Sequence, residues 1–115
     1  MASVRQNKAS RLIQKELSIL FQKEGNTLFR GVMVSVTVVR MSPDLKVAKV
    51  YLSFFGVEDK KKYLEHINEI QGDIRRRLGM VMKNQLKYIP ELHFFLDDSL
   101  DYADEIENLL NKDKP

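Results

Sequence analysis

Arginine stands three times in succession, at Arg75, Arg76 and Arg77, and a second group of cations, Lys8, Arg11 and Lys15, recurs at intervals of three and four residues. Side chains of this kind at these spacings do one sort of chemistry well. They neutralise phosphates and give a grip on polyanions that weakens with salt. At about 100° per residue of helix, Arg76 points away from the apolar positions Ile74, Leu78 and Val81, with Arg75 and Arg77 on either side. The same rotation brings Lys8, Arg11 and Lys15 to within about 60° of one another. Lys83 closes the second basic run. Just ahead of the arginines stands Gly72, and glycine inside a helical pattern costs about 1 kcal/mol relative to alanine. Its presence is explained if the backbone bends there, or if a phosphate must come close to it. Charge runs on helices are most often solvated faces, so the rest of the chain has to decide between these readings.

Helices must carry both groups. Over residues 4–24 the apolar positions Ala9, Ile13, Leu17 and Leu20 fall on one side, widened by Leu12, Ile19 and Phe21, and the first three cations lie opposite. Ser3 is placed to cap this helix, and Gly25-Asn26 reads as its stop, with residues 26–31 as a loop. A second helical stretch runs from Tyr63 to Lys83, with Tyr63, Leu64, Ile67 and Ile70 before Gly72, and Ile74, Leu78 and Val81 after it. Residues 57–62 (VEDKKK) read as the linker into it.

Between the helices lies a hairpin. Val32, Val34, Val36 and Val38 alternate with Met33, Ser35, Thr37 and Val39, which predicts a strand with one buried face. Ser42-Pro43-Asp44-Leu45 is a turn, and Ala48, Val50, Leu52 and Phe54 then form the inner face of a second, antiparallel strand that Gly56 ends. Pro90 closes the connection NQLKYIP, and residues 92–96 (LHFFL) make a third, short strand. Asp97, Asp98 and Ser99 are candidate caps for a last amphipathic helix through Tyr102, Ile106, Leu109 and Leu110. The order is α+β, with a small three-stranded sheet covered on one face by helices. Residues 1–98 form the body and residues 99–115 an acidic helix and tail.

Charge is divided as well, near residue 90. The net +3 splits into 17 Lys/Arg against 8 Asp/Glu over residues 1–90, and 2 against 8 over residues 91–115, or +9 and −6. A basic body with an acidic tail points to a polyanion partner, nucleic acid first.

Other chemistry finds little support. The chain has no cysteine, hence no disulfide and no thiolate nucleophile or metal ligand. His66 and His93 stand apart from any nucleophile. Asp97, Asp98, Asp101 and Asp104 lack the spacing and central glycine of a calcium loop, and carboxylates belong at a helix N-terminus in any case. No phosphate-binding glycine loop or zinc spacing occurs. The first ten residues hold no apolar run, and no window reaches the roughly 18 apolar residues of a membrane span. The expectation is a cytoplasmic binding protein, with no enzyme activity, cofactor, metal or small-molecule substrate.

An αββααβ(α) order with a glycine at the joint of paired helices resembles a type II KH domain. The usual GxxG loop is absent, because Ile70-Gln71-Gly72-Asp73 occupies the joint. A KH-like domain of that kind resembles the ribosome-binding factor A family. The stretches that carry the likeness are RLIQKEL, SPDLKVAKVYLS, GDIRRRLG and YIPELHFFLDDSLDYADEIENLL. The resemblance runs over nearly the whole chain. It implies a non-catalytic assembly factor that binds the immature 30S subunit and its 16S rRNA, acts late in rRNA processing and matters most in the cold. A monomer off the ribosome is expected. Arg75 matches the family's arginine just after the kink, whereas Ile70 departs from the small residue usual two positions before the glycine.

The residues and the resemblance together give Lys8, Arg11, Lys15, Gly72, Arg75, Arg76, Arg77 and Lys83 as the candidate RNA-binding set. Tyr88 is the one aromatic offered for base stacking, although packing against the sheet is its first expectation. Recognition is expected to run through rRNA shape and backbone. A protein–protein adaptor and a free-RNA-binding KH module remain alternatives.

Overall fold

The computed structural model describes residues 3–97. Its elements are α1 (Val4–Phe29), β1 (Met33–Met41), β2 (Val47–Phe55), α2 (Lys60–Glu69), α3 (Gln71–Met82) and β3 (Glu91–Leu96). The sheet order is β1-β2-β3. The first pair is antiparallel and the second parallel. Parallel neighbours need a crossover of a dozen or more residues, and here α2 and α3 supply it. The expected α+β fold, with a three-stranded sheet and helices on one face, is what the chain adopts. The expected last helix and acidic tail lie outside the described residues.

The core lies between sheet and helices. Ile13 and Leu17 of α1, Ile67 of α2, and Ile74, Leu78 and Met82 of α3 are fully buried, against Ala48, Val50 and Leu52 of β2 and Leu92 and Phe94 of β3. Ile74, Leu78 and Met82 follow the i, i+4 ridge of a packed helix. The sequence reading placed Val81 in that stripe. It is instead 53% exposed, and Met82 takes the buried place.

The start of α1 is as expected. Ser3 Oγ accepts from the Gln6 amide at 3.1 Å, and Gln6 Oε1 accepts from the Ser3 amide at 2.8 Å, a reciprocal capping box. Its end is not. The helix runs through Gly25-Asn26 to Phe29 and stops only at Arg30, which takes a left-handed conformation at φ 51°. Leu28 and Phe29 are buried, and the Phe29 ring meets Phe21 edge to face at 4.7 Å. Tyr63 Oη also donates to the Phe29 carbonyl at 2.9 Å. Burial of two large side chains outweighs the roughly 1 kcal/mol that a glycine withholds from a helix.

Two further boundaries move for local reasons. In β1 a bulge falls between Val36, opposite Leu52, and Val38, opposite Tyr51. One extra residue reverses the facing of everything beyond it. Val39 and Met41 are therefore buried and Val38 is exposed, contrary to the simple alternation. In the crossover, helix α2 starts earlier than expected. Asp59 caps it by accepting from the Lys62 amide at 3.1 Å, so Lys60–Lys62 are helix rather than linker.

The joint itself is at Ile70, not Gly72. Ile70 sits at φ −95°, ψ 12°, its amide shared at 3.2 Å between the carbonyls of His66 and Ile67. Gly72 lies in the first turn of α3, and a methyl added there meets nothing within 4 Å. Gly72→Ala is therefore expected to leave the fold intact and to raise unfolding free energy by up to about 1 kcal/mol in urea titration. A loss of stability would show that the first turn of α3 needs glycine.

Candidate nucleic-acid interface

Helix α1 buries Ala9, Ile13 and Leu17 and leaves Lys8, Arg11 and Lys15 exposed on the far side. Two glutamines set its rotation. Gln6 Nε2 donates to the Met41 carbonyl at 3.1 Å and Gln14 Nε2 to the Thr37 carbonyl at 2.9 Å, both on β1. With these anchors the three cations face solvent together. None has an ion-pair partner among the described residues.

The consecutive arginines have three different environments. Arg75 turns inward. Its Nε donates to the carbonyls of Ile89 and Pro90, each at 3.2 Å, and its Nη2 to Ile89 at 2.7 Å. The same guanidinium lies over the Tyr88 ring, 5.6 Å from its centroid. Arg77 is also engaged, pairing through Nη1 with Glu24 of α1 and through Nε with Asp73 at 3.0 Å. Arg76 bonds the other Asp73 oxygen at 2.7 Å but remains 61% exposed. Asp73 thus serves two guanidiniums, Arg76 first and then Arg77, which hold its carboxyl below the ordinary carboxylate range. Lys83, at the end of α3, is exposed with no ion-pair partner among the described residues. Gly72 is exposed beside Asp73.

A pocket of about 660 Å³ opens where the first turns of α1 meet the hairpin turn and the α3–β3 connection. Its floor is apolar, with Ala9, Leu12, Met41, Leu45, Leu86 and Pro90, and Arg5, Lys8, Lys46 and Lys87 surround it. Of these cations the sequence reading picked out only Lys8. Arg5 was within reach, since it precedes Lys8 by one helical turn. Lys46 and Lys87 are distant in sequence, and only the parallel pairing of β3 with β2 brings them close. Tyr88 corrects an expectation, because it lines this pocket at 56% exposure rather than packing on the sheet. Arg75 holds the ring there.

His66 lies beside Tyr63, ring centroids 6.0 Å apart, and His93 Nε2 is 3.6 Å from Glu91 on the exposed sheet face. Among the described residues no cluster of three or more His, Cys, Asp or Glu could hold a metal, and no helix is long and apolar enough to cross a membrane. The sheet face away from the helices is partly apolar. It carries Met33, Val38, Phe55 and Phe95, with Phe95 stacked on Tyr51 at 5.5 Å.

A family profile described as Ribosome-binding factor A matches residues 5–110. This chain belongs to the ribosome-binding factor A family. The ribosome-binding factor A of Cytophaga hutchinsonii is 48% identical over 112 residues, spanning 97% of this chain and 84% of its own length. The crystal structure of ribosome-binding factor A from Thermus thermophilus shares the fold with a TM-score of 0.64 at 18% identity, over 79% of this chain and 94% of that one. A homology model of the Thermus thermophilus factor, as fitted into a cryo-EM map of its complex with the 30S subunit, overlays with a TM-score of 0.60 at 22% identity, over 77% of this chain and 91% of its own. Ile70, where the family resemblance expected a small residue, is the residue at which α2 gives way to α3.

The Asp73 network has a defined pH signature. A carboxyl whose pKa is lowered in the folded state adds stability above the ordinary carboxylate pKa of about 4 and loses it as pH falls through the native value. Asp73→Asn is expected to be less stable than the parent at pH 6, and the gap should narrow as pH is taken to about 3. Denaturant midpoints at both pH values check this. A gap that stays constant would mean the charge on Asp73 is idle.

Proposed function

We propose that this protein binds the immature 30S ribosomal subunit through phosphates of its 16S rRNA and assists late 16S rRNA processing, without catalysing a reaction. The observation that carries the reading is the cation stripe of α1. Lys8, Arg11 and Lys15 face solvent with no ion-pair partner among the described residues, and the helix is fixed in that rotation by Gln6 and Gln14. Unpaired surface cations held on a rigid helix can exchange counterions for phosphates without first breaking a native contact. The Thermus thermophilus member fitted to a 30S complex supports the choice of polyanion.

The candidate set divides by role. Lys8, Arg11, Lys15 and Lys83, which have no ion-pair partner among the described residues, are open to phosphate, and the exposed Arg76 must exchange its bond to Asp73 for one, with Gly72 exposed on the same helix. Arg75 and Arg77 position the elements that display them, so a charge reversal at Arg75 would test folding more than binding. The protein acts in the cytoplasm and is a monomer away from the subunit. Its partly apolar sheet face, where Met33 and Phe55 are exposed, favours a second reading, in which a protein component of the particle is gripped as well.

Pelleting with purified small subunits at matched salt tests the proposal. Lys8→Glu with Arg11→Glu is expected to weaken binding tenfold or more and to lower the slope of log affinity against log salt by roughly one per lost phosphate contact. Arg76→Glu with Lys83→Glu is expected to act the same way. Unchanged pelleting by both folded variants would remove these faces from the contact.

A further inference from the structure

The pocket beside α1 has the chemistry of a nucleotide site, and its description rests on the rRNA-binding reading above. A base is a flat apolar ring with a polar edge, and each end of its nucleotide carries a phosphate. Proteins that hold single-stranded RNA pair an aromatic platform for the ring with cations for the backbone. Both are present here. Tyr88 lines the wall of a cavity whose size falls within the range of small-ligand sites. Lys8, Lys46 and Lys87 stand around it, from three segments distant in sequence.

Among the described residues Asp44 is the one acid that lines the pocket, and it is already engaged. Asp44 accepts from Ser42 Oγ at 2.7 Å and from the Lys46 amide at 3.1 Å, and the first of these bonds leads in holding its carboxyl below the ordinary range. Tyr88 is set in advance as well. The guanidinium over its ring belongs to Arg75, which does not line the pocket and is itself fixed to the Ile89 and Pro90 carbonyls. A cation on an aromatic ring steadies it without taking the cavity. The walls are tied to one another, since the Glu91 amide donates to the Lys46 carbonyl at 2.8 Å and Gln6 bonds Met41. The site is thus formed before anything enters it, which limits the ordering that binding must impose.

We propose that this pocket takes one unstacked base of the bound RNA, laid against Tyr88, with the neighbouring phosphates held by Lys8, Lys46 and Lys87. An acidic peptide would satisfy the lysines but would leave the aromatic wall and apolar floor without a partner, which is why RNA is the occupant chosen.

The test uses the full chain and a short single-stranded RNA carrying 2-aminopurine at one position, whose fluorescence falls when the base stacks. Binding with quenching is expected. Tyr88→Ala is expected to lose the quench and about 5- to 100-fold in affinity, the range of a single base–aromatic stack, and Tyr88→Phe to restore both. The same RNA made abasic at that position should bind the parent protein as weakly as the intact RNA binds Tyr88→Ala. Equal binding of intact and abasic RNA would overturn the proposal, as would full binding by Tyr88→Ala. A polyglutamate peptide that binds more tightly than RNA would overturn it in favour of a protein partner. Pelleting with small subunits separates this proposal from the function beneath it. If the parent and Tyr88→Ala pellet equally, the pocket proposal falls and the function stands. If the parent does not pellet at all, the function falls, and the quench still decides the pocket.

Discussion

Two backbone carbonyls, those of Ile89 and Pro90, end on the guanidinium of Arg75, and much of the molecule's geometry follows from that junction. Pro90 has no amide hydrogen and is fully buried, so the connection into β3 has few ways to anchor itself. A buried carbonyl left unbonded costs about 1–3 kcal/mol. Arg75, from the first half of α3, bonds both carbonyls of this part-buried connection. The contact fixes where β3 begins, with Glu91 opposite Val47. It also fixes the Tyr88 ring and brings Lys87 to the hairpin turn.

The same constraint explains why three consecutive arginines behave so differently. Successive helix residues point about 100° apart, so one triplet reaches the β3 connection, the solvent and α1. Arg77 ties α3 to Glu24 of α1, and Asp73 joins that pair to Arg76. Helix α3 is therefore locked to both of its neighbours by its own basic residues, and the cations left for a partner are found mainly along α1. A basic surface presented by a rigid scaffold suits a partner recognised by its backbone, because phosphate positions are set by the partner's shape rather than its sequence.

How far the residues alone revealed this depends on the range of the interaction. Contacts within a few positions were legible: the Ser3 cap, the turn at Ser42–Leu45 and the inner face of β2 from Ala48 to Phe54. Long-range contacts were not. Gly25 reads as a helix stop until Phe29 is seen packed on Phe21 and bonded by Tyr63, which is 34 positions away. Thr37 gives no sign of a bulge in a run of alternating valines. Its hydroxyl bonds the Tyr51 carbonyl and the Asp97 carboxylate, partners supplied by β2 and by the end of β3. Gly72 drew attention as the bend, yet Ile70 carries it, because an arrest in helical hydrogen bonding needs no glycine when φ stays negative. The arginine triplet was legible as charge, but its division into scaffold and surface was not. The pocket was the least legible feature, since Arg5, Lys46 and Lys87 are gathered only by the crossover.

The central claim is that this surface meets the small ribosomal subunit before that subunit is mature. The most direct measurement is sucrose-gradient sedimentation of the tagged protein from extract of its own cells, with every fraction blotted. The account predicts comigration with free small subunits, absent from whole ribosomes and polysomes and released by added salt. Protein remaining at the top of the gradient at low salt would contradict it.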